Sequence, residues 1–139
     1  VATLQYSDTL SDAKLDALEV AIGIAPILNI WSGSEPANCA ASRTGTLLAT
    51  GTLPSDWLAN AATHAKAKSG TWTLTGQSGA GSGTNAGYFE ITDSGAVATY
   101  IQGKITATGG GGDLTMDNIS IANLQSITVN SFVITAGNQ

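Results

Sequence analysis

The sequence predicts a mainly β protein, an antiparallel β-sandwich carrying one N-terminal α-helix. Three observations predict it. About seven to nine short runs of aliphatic, β-branched and aromatic residues alternate with polar ones. Clusters of Gly, Ser, Asn and Asp separate these runs about every ten residues. Apolar residues recur convincingly at spacings of three and four in one stretch only, near the start. With 139 residues, 42% of them hydrophobic, the chain is long and apolar enough to fill one core. We read residues 1–139 as a single domain: 1–8 an N-terminal arm or a frayed terminus, 9–23 the helix, and 25–136 the sandwich.

The helix rests on Leu10, Ala13, Ala17, Val20 and Ala21, with Leu18 and Ile22 widening the stripe. This apolar stripe is expected to lie on the rest of the domain. Thr9 with Asp12 forms a weak capping arrangement, Asp12 and Asp16 favour the positive end of the dipole, and Gly23 supplies the stop. Beyond it the period becomes two. Pro26–Trp31 reads as a strand, Ser32–Gly45 as a loop and Thr46–Thr50 as a second strand. Leu53–Ala61 reads as a turn or short helical segment. Thr63–Thr75 alternates, placing His64, Lys66 and Lys68 on one face. The Gly/Ser segment 76–85 has nothing to drive burial and is expected to be exposed and mobile. The strongest hairpin joins Tyr88–Thr92 to Val97–Ile101, with Gly95 offering a positive φ in the turn. Gly109–Gly112 punctuates the chain again. Leu114–Met116 and Ile119–Leu124 are short elements, and Ser126–Thr135 is the last strand. That strand has apolar residues on both faces.

Reactive chemistry is sparse. There is one histidine (His64), one cysteine (Cys39) and one arginine (Arg43), and the net charge is −5. The five basic residues are unclustered, which argues against nucleic acid as a partner. A lone cysteine excludes an internal disulfide, and nothing nearby marks Cys39 as reactive. No apolar run is long enough to cross a membrane as a helix, and no signal peptide is expected. Asp93, Asp113 and Asp117 could meet at a cation, but turn and strand-flanking roles explain them as well, so no metal and no cofactor is expected. Glu35, Asp56, Glu90 and Asp93 offer carboxylate pairs that no motif selects. There is no G-x-S-x-G elbow, and the Gly-rich segment lacks the Lys-Ser/Thr of a phosphate loop. The chain therefore reads as a non-enzyme. Trp31, Trp57 and Trp72 read as core in preference to ligand platforms.

Several segments, taken in order, carry a resemblance. They are Ile30-Trp31-Ser32-Gly33-Ser34-Glu35-Pro36-Ala37, Thr46–Thr50, Ala86–Gly95 followed by Ile101-Gln102-Gly103, Asp113–Asn118, and Ser126–Asn138. With the helix opening at Leu10–Val20, this pattern resembles the small virion structural proteins of tailed bacteriophages, of the capsid decoration or cement kind. The resemblance implies a β-rich homo-oligomer, such as a trimer, bound to the major capsid protein on the outer capsid surface. A tail or fibre module that binds carbohydrate for host adhesion is the alternative. The Gly/Ser segment at 76–85 and the His64, Lys66, Lys68 stripe depart from the pattern. That stripe is either a solvated strand face or a contact for an acidic capsid surface. Val1, Leu4 and Tyr6 of the arm complete the expected partner-binding set, as residues that could add a strand to a neighbour.

Overall fold

The architecture follows from one long sheet that curls on itself. It is seen in a computed structural model describing residues 4–136, so Val1 of the expected arm lies outside the described residues. The helix α1 (Asp8–Ile22) precedes eleven strands: β1 (Ile27–Trp31), β2 (Leu47–Thr52), β3 (Ala65–Ala67), β4 (Trp72–Gly76), β5 (Thr84–Asn85), β6 (Tyr88–Thr92), β7 (Thr99–Ala107), β8 (Leu114–Met116), β9 (Ser120–Ile121), β10 (Ser126–Val129) and β11 (Val133–Thr135). Seven form a sheet in the order β10-β4-β2-β1-β6-β7-β8, and the pairs β11-β3 and β5-β9 stand apart. Every pairing is antiparallel except β7 with β8. Gly109 and Gly111, at φ 87° and 77°, let the chain double back between those two parallel strands within residues 108–113. The fold is mainly β with one N-terminal helix, as expected, and the large sheet is nearly closed.

The core lies inside the curl. On β1 and β6 the register sets Leu28 opposite Ile91 and Ile30 opposite Phe89, all buried. Leu48, Trp72, Leu74, Ile105, Leu114, Ile127 and Val129 join them from the other strands. Aromatic rings bridge the layers, with Trp57 and Trp72 6.0 Å apart, Trp72 and Phe132 5.3 Å apart, and Phe89 edge-on to Phe132 at 5.8 Å. Trp57 also donates its indole N–H to the Gly23 carbonyl at 3.2 Å, fixing the end of the helix to the core.

The helix is where expected, but its orientation is not. Ser7 caps it, its hydroxyl accepting from the Leu10 N–H at 3.3 Å, so Thr9 lies within the first turn. The buried positions are Ser11, Leu15 and Ile22. Most of the expected stripe faces solvent, with Leu10 50% and Val20 87% exposed, while Ile22 at its margin is buried as expected. The reason is polar. Asp12, Asp16 and Glu19 accept hydrogen bonds from the backbone N–H groups of His64, Ala61 and Leu58 at 3.0, 2.8 and 3.2 Å. Those N–H groups have no strand partner there, and leaving them unpaired against the helix would be costly. The acidic side therefore turns inward beside Leu15.

Other expectations are corrected by breaks in the chain. Of the two expectations for Leu53–Ala61 the short helix is absent: the chain bends at Ser55–Asp56, and Leu58 bridges to Lys68. Thr63 and His64 take φ of 52° and 61°, and Gly70 takes 68°, so the expected run Thr63–Thr75 divides into β3 and β4. Ser126–Thr135 divides at Asn130–Phe132. This kink lets Phe132 point inward like Ile127 and Val129 although its parity is opposite, and it hands β11 to β3. The Gly/Ser segment is largely exposed, as expected, but it is anchored by a 3-10 turn at Ser78–Ala80 that buries Ala80. A Cβ on Gly76 would strike the Ala122 carbonyl oxygen. The β6–β7 hairpin forms, but its second strand is Thr99–Ala107 in place of Val97–Ile101, and the left-handed residue in its turn is Ala96, at φ 56°, and not Gly95.

Candidate functional site

The strongest cluster of polar chemistry sits on the outer face of β1, β6 and β7. Alternation puts Asn29, Trp31, Tyr88 and Glu90 on this face while their neighbours enter the core. Segment 32–46 closes over it. The Tyr88 hydroxyl donates to the Thr44 carbonyl and accepts from the Thr44 N–H, each at 3.0 Å, and Gln102 donates to the Pro36 carbonyl at 2.7 Å. Gly87 permits the closure, because a Cβ there would meet the Gly33 carbonyl oxygen. Glu90 is thereby 2% exposed.

Its carboxylate is saturated with donors. Asn29 and Trp31 donate to Oε1 at 3.2 and 3.1 Å, and Thr99 donates to Oε2 at 2.7 Å. The Arg43 guanidinium reaches both oxygens, at 2.7 and 3.0 Å. Burial pushes the carboxyl up, but the bonds from Thr99, Arg43 and Asn29 together with the Arg43 charge outweigh it and hold Glu90 below its ordinary value. The result is a carboxylate whose two oxygens are taken up by donors from within the chain. A proton-transfer role needs a group poised near the working pH, and Glu90 is held away from it. The other carboxylates weighed for pairing do not converge on it through any hydrogen bond.

The expected cationic stripe does not exist as a surface. Lys66 is 1% exposed, and its ammonium donates to Asp16 at 2.7 Å, Glu19 at 2.8 Å and the Ala59 carbonyl at 2.8 Å. Burial favours the neutral amine, but the two carboxylates prevail and raise its pKa above the ordinary lysine value. The lysine bond and the Ala61 N–H lower that of Asp16. His64 turns to Asp8, with Nε2 to Oδ1 at 2.8 Å, and Lys68 folds onto the Gly70 carbonyl at 2.7 Å. The three basic residues are therefore not presented together to a partner, and Lys66 is withdrawn from the partner-binding set. In the arm, Leu4 is 67% exposed, and the half-buried Tyr6 ring carries the Lys14 ammonium 4.0 Å from its centroid.

Concave surfaces lie elsewhere on the fold. A cavity of about 310 Å³ lies where the free edges of β8 and β10 approach each other, with Ile30 at its floor and Met116, Asn118, Thr128 and Asn130 on its walls. No aromatic side chain lines it. A shallower groove runs between Cys39–Arg43 and Val97–Thr99, beside the Arg43–Glu90 pair. Trp57 and Trp72 are fully buried, and Trp31 stacks on Tyr88 at 6.4 Å, so none of the three forms an open platform. Asp93, Asp113 and Asp117 each accept from a local partner: the Val97 N–H, the Lys104 N–H and the Thr108 hydroxyl. Among the described residues no three His, Cys, Asp or Glu side chains gather as metal ligands.

Asn29 and Glu90 were missed as a pair by sequence reasoning. Their signal is a lone polar residue in the middle of each apolar run, ILNIW and YFEIT, at positions the register makes neighbours. No helix is long and apolar enough to cross a membrane. Comparisons with protein-family models, curated proteins and solved structures return no match.

Proposed function

We propose that this chain is a non-enzymatic structural protein of a tailed-bacteriophage virion that decorates the outer capsid surface and binds the major capsid protein. The observation that carries the reading is how the fold uses its buried charges. Glu90 and Lys66 are consumed in internal networks. What faces outward includes an apolar helix side and the outer edges of β8 and β10, the end strands of the seven-stranded sheet. Such a surface suits binding to other protein surfaces. The setting rests on the resemblance of the segment pattern to virion proteins, read from the sequence. Binding would stabilise the shell by mass action, since the partner site exists only on assembled capsid. The free edges of β8 and β10, together with exposed Leu4, are the capsid-facing elements in this reading.

Cryo-electron microscopy of the virion that encodes the chain tests it. Density for this fold is expected at symmetric positions between major capsid subunits. Density confined to the tail or fibres, or absence from the particle, would overturn the assignment.

A further inference from the structure

The seven strands of the large sheet nearly close on themselves, and the seam falls between the end strands β8 and β10. Their Cα atoms lie mostly more than 8 Å apart and no backbone hydrogen bond joins them, whereas paired strands stand about 4.8 Å apart. The opening is the cavity of about 310 Å³ with Ile30 at its floor. Alternation decides what faces it. The Met116 carbonyl accepts from the Thr108 N–H just past β7, and the Gly76 N–H of β4 donates to the Gln125 carbonyl. The backbone groups of Leu114 and Met116 are thereby turned to β7, and those of Ile127 and Val129 to β4. The N–H and C=O groups of Thr115, Ser126 and Thr128 point into the seam, and no hydrogen bond among the described residues takes them up. Leu114, Ile127 and Val129 are buried beneath, while the side chains of Thr115, Ser126 and Thr128 are exposed around the rim. Peptide groups on both walls above an apolar floor recognise an extended strand. One more strand turns the curl into an eight-stranded barrel, the size whose interior side chains just fill.

The occupant must alternate, with apolar side chains toward Ile30 and Ile127 and neutral polar ones outward beside the threonines. β8 and β10 run in opposite directions, so it lies parallel to one and antiparallel to the other. At three and four residues they offer about 10–13 Å of edge, enough for two inward side chains. The chain carries such a run outside its strands. In residues 1–7, Ala2, Leu4 and Tyr6 alternate with Thr3, Gln5 and Ser7, with no charged side chain, proline or glycine. Of these, residues 4–7 join no strand, and Leu4 is 67% exposed. The arm does not fill the seam of its own molecule, since the Tyr6 ring lies against Lys14 of α1. We propose that the seam between β8 and β10 takes the N-terminal arm of a second copy as an added strand, with Leu4 and Tyr6 turned inward. Arm into seam is a head-to-tail contact, so copies close into a ring or, where two exchange arms, into a two-fold dimer. The virion reading turns the same arm and edges toward the capsid, where neighbouring copies would hold one another in this way, but the pairing itself needs no capsid.

Sedimentation velocity on the full chain, from about 5 µM to about 1 mM, reads the association, and amide hydrogen exchange at the two ends of that range locates it. Species larger than the monomer are expected as concentration rises, with the Thr115, Ser126 and Thr128 amides slowing together. Leu4→Asp sets a carboxylate against the apolar floor and should weaken association at least about tenfold, while circular dichroism reports the fold unchanged. A synthetic peptide of residues 1–7 added to the Leu4→Asp protein should protect the same three amides, and a peptide carrying that substitution should not. A wild type that stays monomeric at the highest concentration overturns the proposal, as does a Leu4→Asp variant that associates normally. Association that leaves the three amides exchanging freely overturns the seam as the site and moves the contact to another face. None of these failures touches the virion reading, which particle density decides.

Discussion

Glu90 and Lys66 are the two ionised side chains that this fold buries, and they are shielded differently. Glu90 is enclosed with its oxygens shared among neutral donors and one half-exposed arginine, so it anchors segment 32–46 to the sheet. Glu90→Gln keeps the shape but removes the charge from four donors at once. We expect a loss of about 2 kcal/mol, the scale of hydrogen bonds to a charged group. Urea unfolding followed by tryptophan fluorescence measures it, and because Trp31 donates to Glu90 the folded-state emission should also change. Lys66 has the opposite arrangement: the cation is sealed while its partners Asp16 and Glu19 remain partly open to water. In Lys66→Met the orphaned carboxylates can hydrate, so the cost stays at about 1–2 kcal/mol, below the 3–5 kcal/mol typical when a buried ion is left unpaired. A loss as large as 4 kcal/mol in the same urea titration would show that the carboxylates are trapped after all.

At the scale of elements, the glycines of the segment 76–85 separate packing from conformation. Gly76 has no room for a methyl group, since the Ala122 carbonyl occupies its place, and Gly76→Ala should cost about 1–3 kcal/mol through forced backbone displacement. Gly81 faces open space but has φ 58°, so Gly81→Ala should cost only about 1 kcal/mol of left-handed strain. Thermal unfolding of the two variants ranks them, and a reversed order would mean that the segment is not held as described. This segment also shows why part of the fold was illegible in sequence. Low complexity gives the exposure of the segment but not its fixed points, where small residues allow close approach to the Ala122 and Leu47 carbonyls. The β6–β7 hairpin is legible as a hairpin because its pattern and partner agree, but not in its register, since β7 runs Thr99–Ala107 and Thr92 pairs with Thr99. The helix was legible as a helix but not in its facing. Periodicity assumes that polar residues seek water, whereas three acids on α1 found unpaired backbone N–H groups on residues 58–64. The Glu90 cluster was legible only as separate polar residues, because Arg43 and Thr99 reach it from segments whose placement depends on loop closure.

Across the whole molecule the two networks tie other parts of the chain to two different sheets: Glu90 joins segment 32–46 to β1 and β7 of the large sheet, and Lys66 joins α1 to β3 of the small β11-β3 pair. Stability should therefore have an acid limb and an alkaline limb. A carboxyl whose folded pKa lies below its ordinary value contributes stability that is present above that value and lost as pH falls through the folded one. This applies to Glu90, ordinarily 4.5, and to Asp16, ordinarily 3.8. Lys66 has the opposite sign. Its pKa is raised above the ordinary 10.5, so its contribution is complete below that value and disappears as pH climbs through the folded one. The unfolding temperature should be flat between about pH 5 and about pH 10 with respect to these groups, and fall on either side. The variants assign the limbs. Glu90→Gln should flatten the acid limb and leave the alkaline one. Lys66→Met should abolish the alkaline contribution and also weaken the acid limb, because the lysine is the main cause of the Asp16 shift. Differential scanning calorimetry from about pH 2.5 to about pH 11 on the three proteins decides it. An alkaline limb that survives in Lys66→Met would place the sensitive group elsewhere and remove Lys66 as the latch between helix and sheet.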